Sequence, residues 1–237
     1  MSAAPPSQTQ LLDNLFWHAL VGPQAHFAAG RGDVRRFAAG FSPIVGFADP
    51  AKPQLDALLP FCEPGEQFYC DGWAGAAPAG WQVDAEARMT KMIWRAPMPA
   101  QDEAPEAIRL AAEHLPQILE LVGLTRPGPF GPRTIELGEY YGLVDSASGR
   151  LMAMAGERCA AGPLREISGV CTHPDFQGRG LARRLMLKLI RCQMARGETP
   201  VLHVMSSNER AIALYQRMGF DAHRESVVRV ISRRPNE

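Results

Sequence analysis

Between positions 181 and 190 the apolar residues Leu181, Ala182, Leu185, Met186, Leu189 and Ile190 recur at three- and four-residue intervals, with Arg183, Arg184 and Lys188 between them. This is the period of an amphipathic helix and predicts one over 180–196, stopped at Gly197. Similar spacing predicts helices over 9–20, where Leu11, Leu12, Leu15, Phe16 and Leu20 share a face, and over 34–41, 55–59, 114–124 and 207–218. Alternating or short apolar runs bounded by turn residues predict strands at 68–70, 87–94, 108–110, 138–144, 150–158, 164–172 and 200–205, with one or two more within 220–231. Asp145 to Gly149 reads as the turn of a hairpin. The proline- and acid-rich stretch 96–105 reads as a linker.

The organisation that follows is an α/β (α+β) chain in two parts. Residues 1–104 are expected to form a smaller accessory domain and residues 105–237 a second one with interleaved strands and helices. The four tryptophans, Trp17, Trp73, Trp81 and Trp94, all fall in the first part and are expected in its core.

Charge and composition remove several classes of function. The formal net charge is zero, so no basic field speaks for nucleic acid or an anionic membrane. No apolar run reaches the length of a membrane span, and no basic start with an apolar stretch marks a signal peptide. The five cysteines, Cys62, Cys70, Cys159, Cys171 and Cys192, are odd in number and lack a CxxC pair. Reduced thiols and a cytoplasmic location are expected, without a metal site.

The stretch THPDFQGRGLARRL, starting at Thr172, raises a chemical question. Two glycines precede a helix whose first turn carries arginines. A helix N-terminus already exposes unpaired N–H groups and partial positive charge, so a strand, a glycine turn and a helix start together suit an anion. Neither a Walker P-loop nor GxGxxG is met. The alternative is a plain strand-to-helix turn with solvated arginines.

Gln177-Gly178-Arg179-Gly180-Leu181-Ala182 resembles the Q/R-x-x-G-x-G/A signature of the GNAT superfamily of acyl-CoA-dependent N-acyltransferases. Downstream, Asn208 to Phe220 resembles that family's N-x-x-A-x-x-L-Y-x-x-x-G-F. The resemblance runs from about Ile108 to the C-terminus and is nearest the branch with glycine N-acyltransferase-like C-terminal domains. It implies a mixed, mostly antiparallel sheet flanked by helices, with residues 1–104 a candidate degenerate copy of the same fold. It implies that acetyl-CoA, as acyl donor, lies between two splayed parallel strands. The backbone of Val170, Cys171 and Thr172 would meet the pantetheine arm, and the turn from Gln177 through Gly178, Arg179, Gly180, Leu181 and Ala182 would meet the pyrophosphate. Arg183 or Arg184 would face the 3′-phosphate, and Asn208 the cofactor arm.

The expected activity is transfer of an acetyl group to a primary amine of a small molecule or peptide, by direct attack in a ternary complex. Such an amine is charged at neutral pH, and deprotonating it costs about 4–5 kcal/mol. By the resemblance Glu166 is the first candidate base, with an ion pair to Arg158 or Arg165 as its structural alternative; Glu157 is the second. Tyr215 occupies the position of the proton donor to the leaving thiolate. The acceptor is expected across the sheet, near the 125–134 loop, Tyr140 and Tyr141. A pairing of Cys171 with His173 for an acyl-cysteine route is disfavoured. Ser206 to Glu209 reads as a capping box. Rival functions are a glycine-type acyltransferase using a longer acyl-CoA, and a non-catalytic CoA-binding sensor. A homodimer is compatible with the sequence.

Overall fold

A computed structural model describes residues 6–234. The chain begins with two short helices, α1 (Gln8–Asp13) and α2 (Leu15–Val21), then strands β1 (Ala28–Ala29), β2 (Val34–Phe37), β3 (Ile44–Phe47), β4 (Gln67–Asp71) and β5 (Trp81–Trp94). It continues through β6 (Ile108–Arg109), α3 (Leu115–Thr125), β7 (Tyr140–Val144), β8 (Leu151–Ala161), β9 (Leu164–Thr172), α4 (Leu181–Ala195), β10 (Thr199–Met205), α5 (Glu209–Met218) and β11 (Phe220–Arg233).

All eleven strands join one sheet, in the order β1-β2-β3-β4-β11-β5-β10-β9-β8-β7-β6. Pairing is antiparallel except at β3–β4 and β9–β10. The fold is therefore the mixed, mostly antiparallel sheet flanked by helices that was expected. The boundary expected at residue 104 runs through this sheet: β5 lies between β10 and β11, paired to both. The 96–105 stretch is no free linker either. Arg184 Nε donates to the Glu103 carbonyl, Arg191 Nη1 to the Pro99 carbonyl, and Lys188 pairs with Asp102 at 2.5 Å. These bonds strap it along α4, and they account for cations in the early turns of that helix.

Two apolar layers hold the sheet. On one face, Leu181, Leu185, Met186, Leu189 and Ile190 of α4 pack on Ala153, Ala155, Ile167 and Leu202. On the other, α1 and α2 bury Leu12, Leu15, Phe16 and Leu20 against Cys159, Leu164 and Val201, and α3 covers Met154 and Cys171. Alternation of side chains along each strand decides which layer a residue enters.

Three local expectations change. The 9–20 helix is broken at Asn14, whose backbone is non-helical and whose Nδ2 donates to the Phe47 carbonyl at 2.8 Å. Residues 34–37 are a strand and not a helix, because β1 and β3 pair with both edges. The helix expected over 55–59 is a 3₁₀ helix, Leu55–Phe61, and runs on through Pro60. Trp73, Trp81 and Trp94 are buried, as expected of core residues.

Candidate active site

The cleft forms where β9 and β10 part. Their parallel pairing runs from Leu164 and Thr199 to Ile167 and Leu202, then stops, although β9 continues to Thr172 and β10 to Met205. Each stays paired with its outer neighbour, β10 with β5 as far as Met205–Met89 and β9 with β8 as far as Thr172–Ala153. The local cause is a bulge. Gly169 and Val170 together oppose the single residue Ala155, and Gly169 has φ 64°. An extra residue bends the bulged strand and strengthens its twist, which carries β9 away from β10.

A cavity of about 560 Å³ fills the gap. Ser168 to Thr172, His203 to Met205, Asn208, Tyr215 and Gln177 line it, with Thr125 at the end of α3, Arg126 to Pro129 from the loop after it and Met89 from β5. Val170, Cys171, Thr172, Gln177, Asn208 and Tyr215, all singled out in the sequence, thus meet at one cleft. Tyr140 and Tyr141 do not line it. Tyr140 packs under α3, and Tyr141 lies on the α4 side, its ring 5.2 Å from the Lys188 ammonium.

Beyond the cavity the chain turns through Gly178 (φ 77°) and Gly180 (φ 73°) into α4. Gly180 is the N-cap and no side chain caps the helix. A side chain built on either glycine would meet nothing within 4 Å, so the backbone faces open space. Both glycines hold a conformation that other residues adopt at a cost of about 1–2 kcal/mol. The first-turn amides from Leu181 onward have no intrahelical acceptor. Arg179 and Arg183 are exposed, whereas Arg184 is committed to Glu106 at 2.6 Å.

Asn208 caps α5, its side chain accepting from the Ala211 amide at 3.1 Å. The cap is therefore Asn208, and the capping box expected at Ser206 does not form: Ser206 Oγ lies 2.9 Å from Thr90 Oγ1 instead. Tyr215 sits edge-on to Phe220, and burial raises its hydroxyl pKa, which keeps the proton on oxygen at neutral pH. Burial pushes the Cys171 thiol up to about 11, with a Thr125 contact opposing. His173 bonds to Arg150 and to the Asp175 amide, so no thiol–imidazole pair exists.

Glu166 is fully buried and is not part of the cavity wall. A second bulge explains its partner. Arg158 and Cys159 together oppose Glu166 across β8–β9, which turns the Arg158 guanidinium onto the carboxylate. Arg158 Nε donates at 3.0 Å and Nη2 at 2.6 Å, while His203 Nδ1 lies 2.7 Å from the same carboxylate. Burial alone would raise the carboxyl pKa; the Arg158 charge and the His203 contact outweigh it and hold it well below the usual range. The structural alternative, an ion pair with Arg158, is what the geometry contains, and a carboxylate held this way has little tendency to take a proton. Glu157 is buried on the α4 side, bonded to Gln193 Nε2, Arg196 and the Glu139 amide, away from the cleft. Among the lining residues, Arg158 was weighed in the sequence only as an ion-pair partner of Glu166, and His203 was given no role. Neither lies in a motif, and only a bulge and a cross-strand neighbour bring them there.

Comparison with known proteins fits this architecture. Residues 140–230 match the family described as FR47-like protein. A putative acetyltransferase of the GNAT family from Novosphingobium aromaticivorans superposes with a TM-score of 0.85 at 34% identity, over 94% of this chain and 99% of that one. The chain belongs to the GNAT superfamily. A GCN5-related N-acetyltransferase-like protein from Streptococcus suis shares the fold, with a TM-score of 0.59 at 16% identity over 93% of this chain and 92% of that one. The N-alpha-acetyltransferase RimI of Mycobacterium tuberculosis is 40% identical over 55 residues, which are 23% of this chain and 34% of that relative's length.

Proposed function

We propose that this GNAT chain transfers an acetyl group from acetyl-CoA to a primary amine of a small molecule or peptide, by direct attack, in the cytoplasm. One observation carries the reading: the gap between β9 and β10 opens toward an uncapped helix N-terminus with empty space over Gly178 and Gly180. These residues fit the donor. The unpaired strand edge of Val170 to Thr172 offers backbone groups to the pantetheine amides, and the amides from Gly178 to Ala182 offer donors to the pyrophosphate. Gln177, exposed Arg179 and exposed Arg183 flank that turn, and Asn208 closes the cleft from α5.

Bound acetyl-CoA supplies an activated thioester carbonyl. The amine nitrogen must reach it neutral; nitrogen then bonds to carbon, the carbon–sulfur bond breaks, nitrogen loses a proton and sulfur gains one. Tyr215, protonated and at the cleft, is placed to give the proton to sulfur. Backbone N–H groups near Val170 and Cys171 are the candidate donors to the carbonyl oxygen. Glu166 serves this reading as the anchor of Arg158 and His203, since its own pKa is held too low for it to accept a proton readily near neutrality.

The test is calorimetric titration of wild type and Gly180→Glu with acetyl-CoA and CoA, followed by an amine panel. Binding to wild type that disappears in the variant, with acetylated product from at least one amine, is expected. Binding unaffected by a carboxylate on the glycine turn would refute the assigned cradle.

A further inference from the structure

On the α1–α2 face the wall of the cleft includes Arg158 and His203. Arg158 spends Nε and Nη2 on Glu166, so Nη1 is the guanidinium nitrogen outside that pair. About 8% of the side chain stays accessible, and the bulge at 158–159 fixes its direction. Beside it, His203 Nε2 is buried without a partner. A buried polar atom without a partner is costly, so His203 Nε2 beside the accessible edge of the Arg158 guanidinium at a cavity wall points to something that completes them.

The rest of the wall defines the charge of that occupant. Arg126, in the loop after α3, also lines the cavity, and no aspartate or glutamate does. Glu166, directly behind the wall, is already shared between Arg158 and His203. We infer that the acceptor carries a carboxylate close to its amine, as an amino acid does, and that Arg158 and Arg126 hold this carboxylate. The Arg158–Glu166 pair is neutral as a unit, so Arg158 contributes a directed, charge-assisted hydrogen bond, and Arg126 contributes net attraction. A polyamine would meet like charge and no acceptor group. The Arg126 cation, with no carboxylate among the lining residues to offset it, also favours the neutral form of a nearby amine, the form that attacks.

This inference rests on the acetyl-transfer reading and is tested separately from it. Glycine, β-alanine and glutamate are compared with methylamine, ethylamine and spermidine on the wild-type protein. Binding is read by saturation-transfer NMR with and without CoA, and transfer by kcat/KM with acetyl-CoA. At least one amino acid should bind where its carboxylate-free counterpart does not, and should be favoured by about 10- to 100-fold in kcat/KM. Arg126→Ala should lower that preference through KM. The double variant Arg158→Met/Glu166→Gln avoids stranding one buried charge; it should lose the preference while still binding acetyl-CoA. Amino-acid binding without acetylation of any amine would support the carboxylate site and remove the transfer reading. Acetylation of methylamine or spermidine as efficient as that of the amino acids, or absence of amino-acid binding, would overturn the carboxylate site and leave the transfer reading intact.

Discussion

Replacing Glu166 by glutamine keeps the shape of the side chain and removes its charge. Arg158 would remain buried, with the amide of the new residue facing two of its donors and His203 Nδ1. Breaking a buried ion pair from one side costs about 3–5 kcal/mol, because the stranded charge stays out of water. For a chain of this length that lowers Tm by about 6–20 °C. Urea denaturation of wild type and Glu166→Gln at neutral pH measures the difference. The pH dependence gives a second check. A carboxyl whose folded pKa lies below its unfolded value of about 4.3 contributes its full stability above that pH, and loses it as pH falls toward the folded value. Wild type should therefore shed stability below about pH 4.3, while Glu166→Gln, already lacking the contribution, should show a shallower acid limb. A loss smaller than about 1 kcal/mol, the range of an exposed pair, with the acid limb unchanged, would refute the buried-anchor account. With the Glu166 pKa held well below the usual range, any limb of the transfer rate between pH 5 and 8 comes from another group, and should survive in the folded fraction of this variant.

Two further outcomes follow from the same geometry. Tyr215→Phe keeps the ring against Phe220 but removes the hydroxyl, so kcat should fall by about 10²–10⁴-fold, the range of general acid catalysis, with acetyl-CoA affinity by calorimetry little changed; an unchanged kcat would remove Tyr215 from the chemistry. In the native protein at pH 8, iodoacetamide should label half-buried Cys62 and Cys192 before Cys171, whose thiol is buried and pushed up to about 11; rapid labelling of Cys171, read by mass spectrometry, would contradict its placement under α3.

Local physics made much of this protein legible in its sequence. The apolar period of α4, the glycines at 178 and 180 and the stop at Gly197 are properties of neighbours in the chain, and the helix, its open N-terminus and the cleft beside it are where that pattern put them. The two signatures led to the correct superfamily, and Val170, Gln177, Asn208 and Tyr215 do line one cavity. What the pattern could not contain is pairing between distant segments. Eight residues at 34–41 fit a helical period equally well, and only β1 and β3 on either side make the first four a strand. The stretch 96–105 has the composition of a linker, yet cations spaced along α4 tie it down. Above all, the partners of Glu166 were decided by a bulge: one extra residue in β8 turns Arg158 onto it, and β10 brings His203 to its other side. Register, bulges and burial are relations between strands far apart in sequence, so only the tertiary structure decides which charges a buried carboxylate such as Glu166 meets.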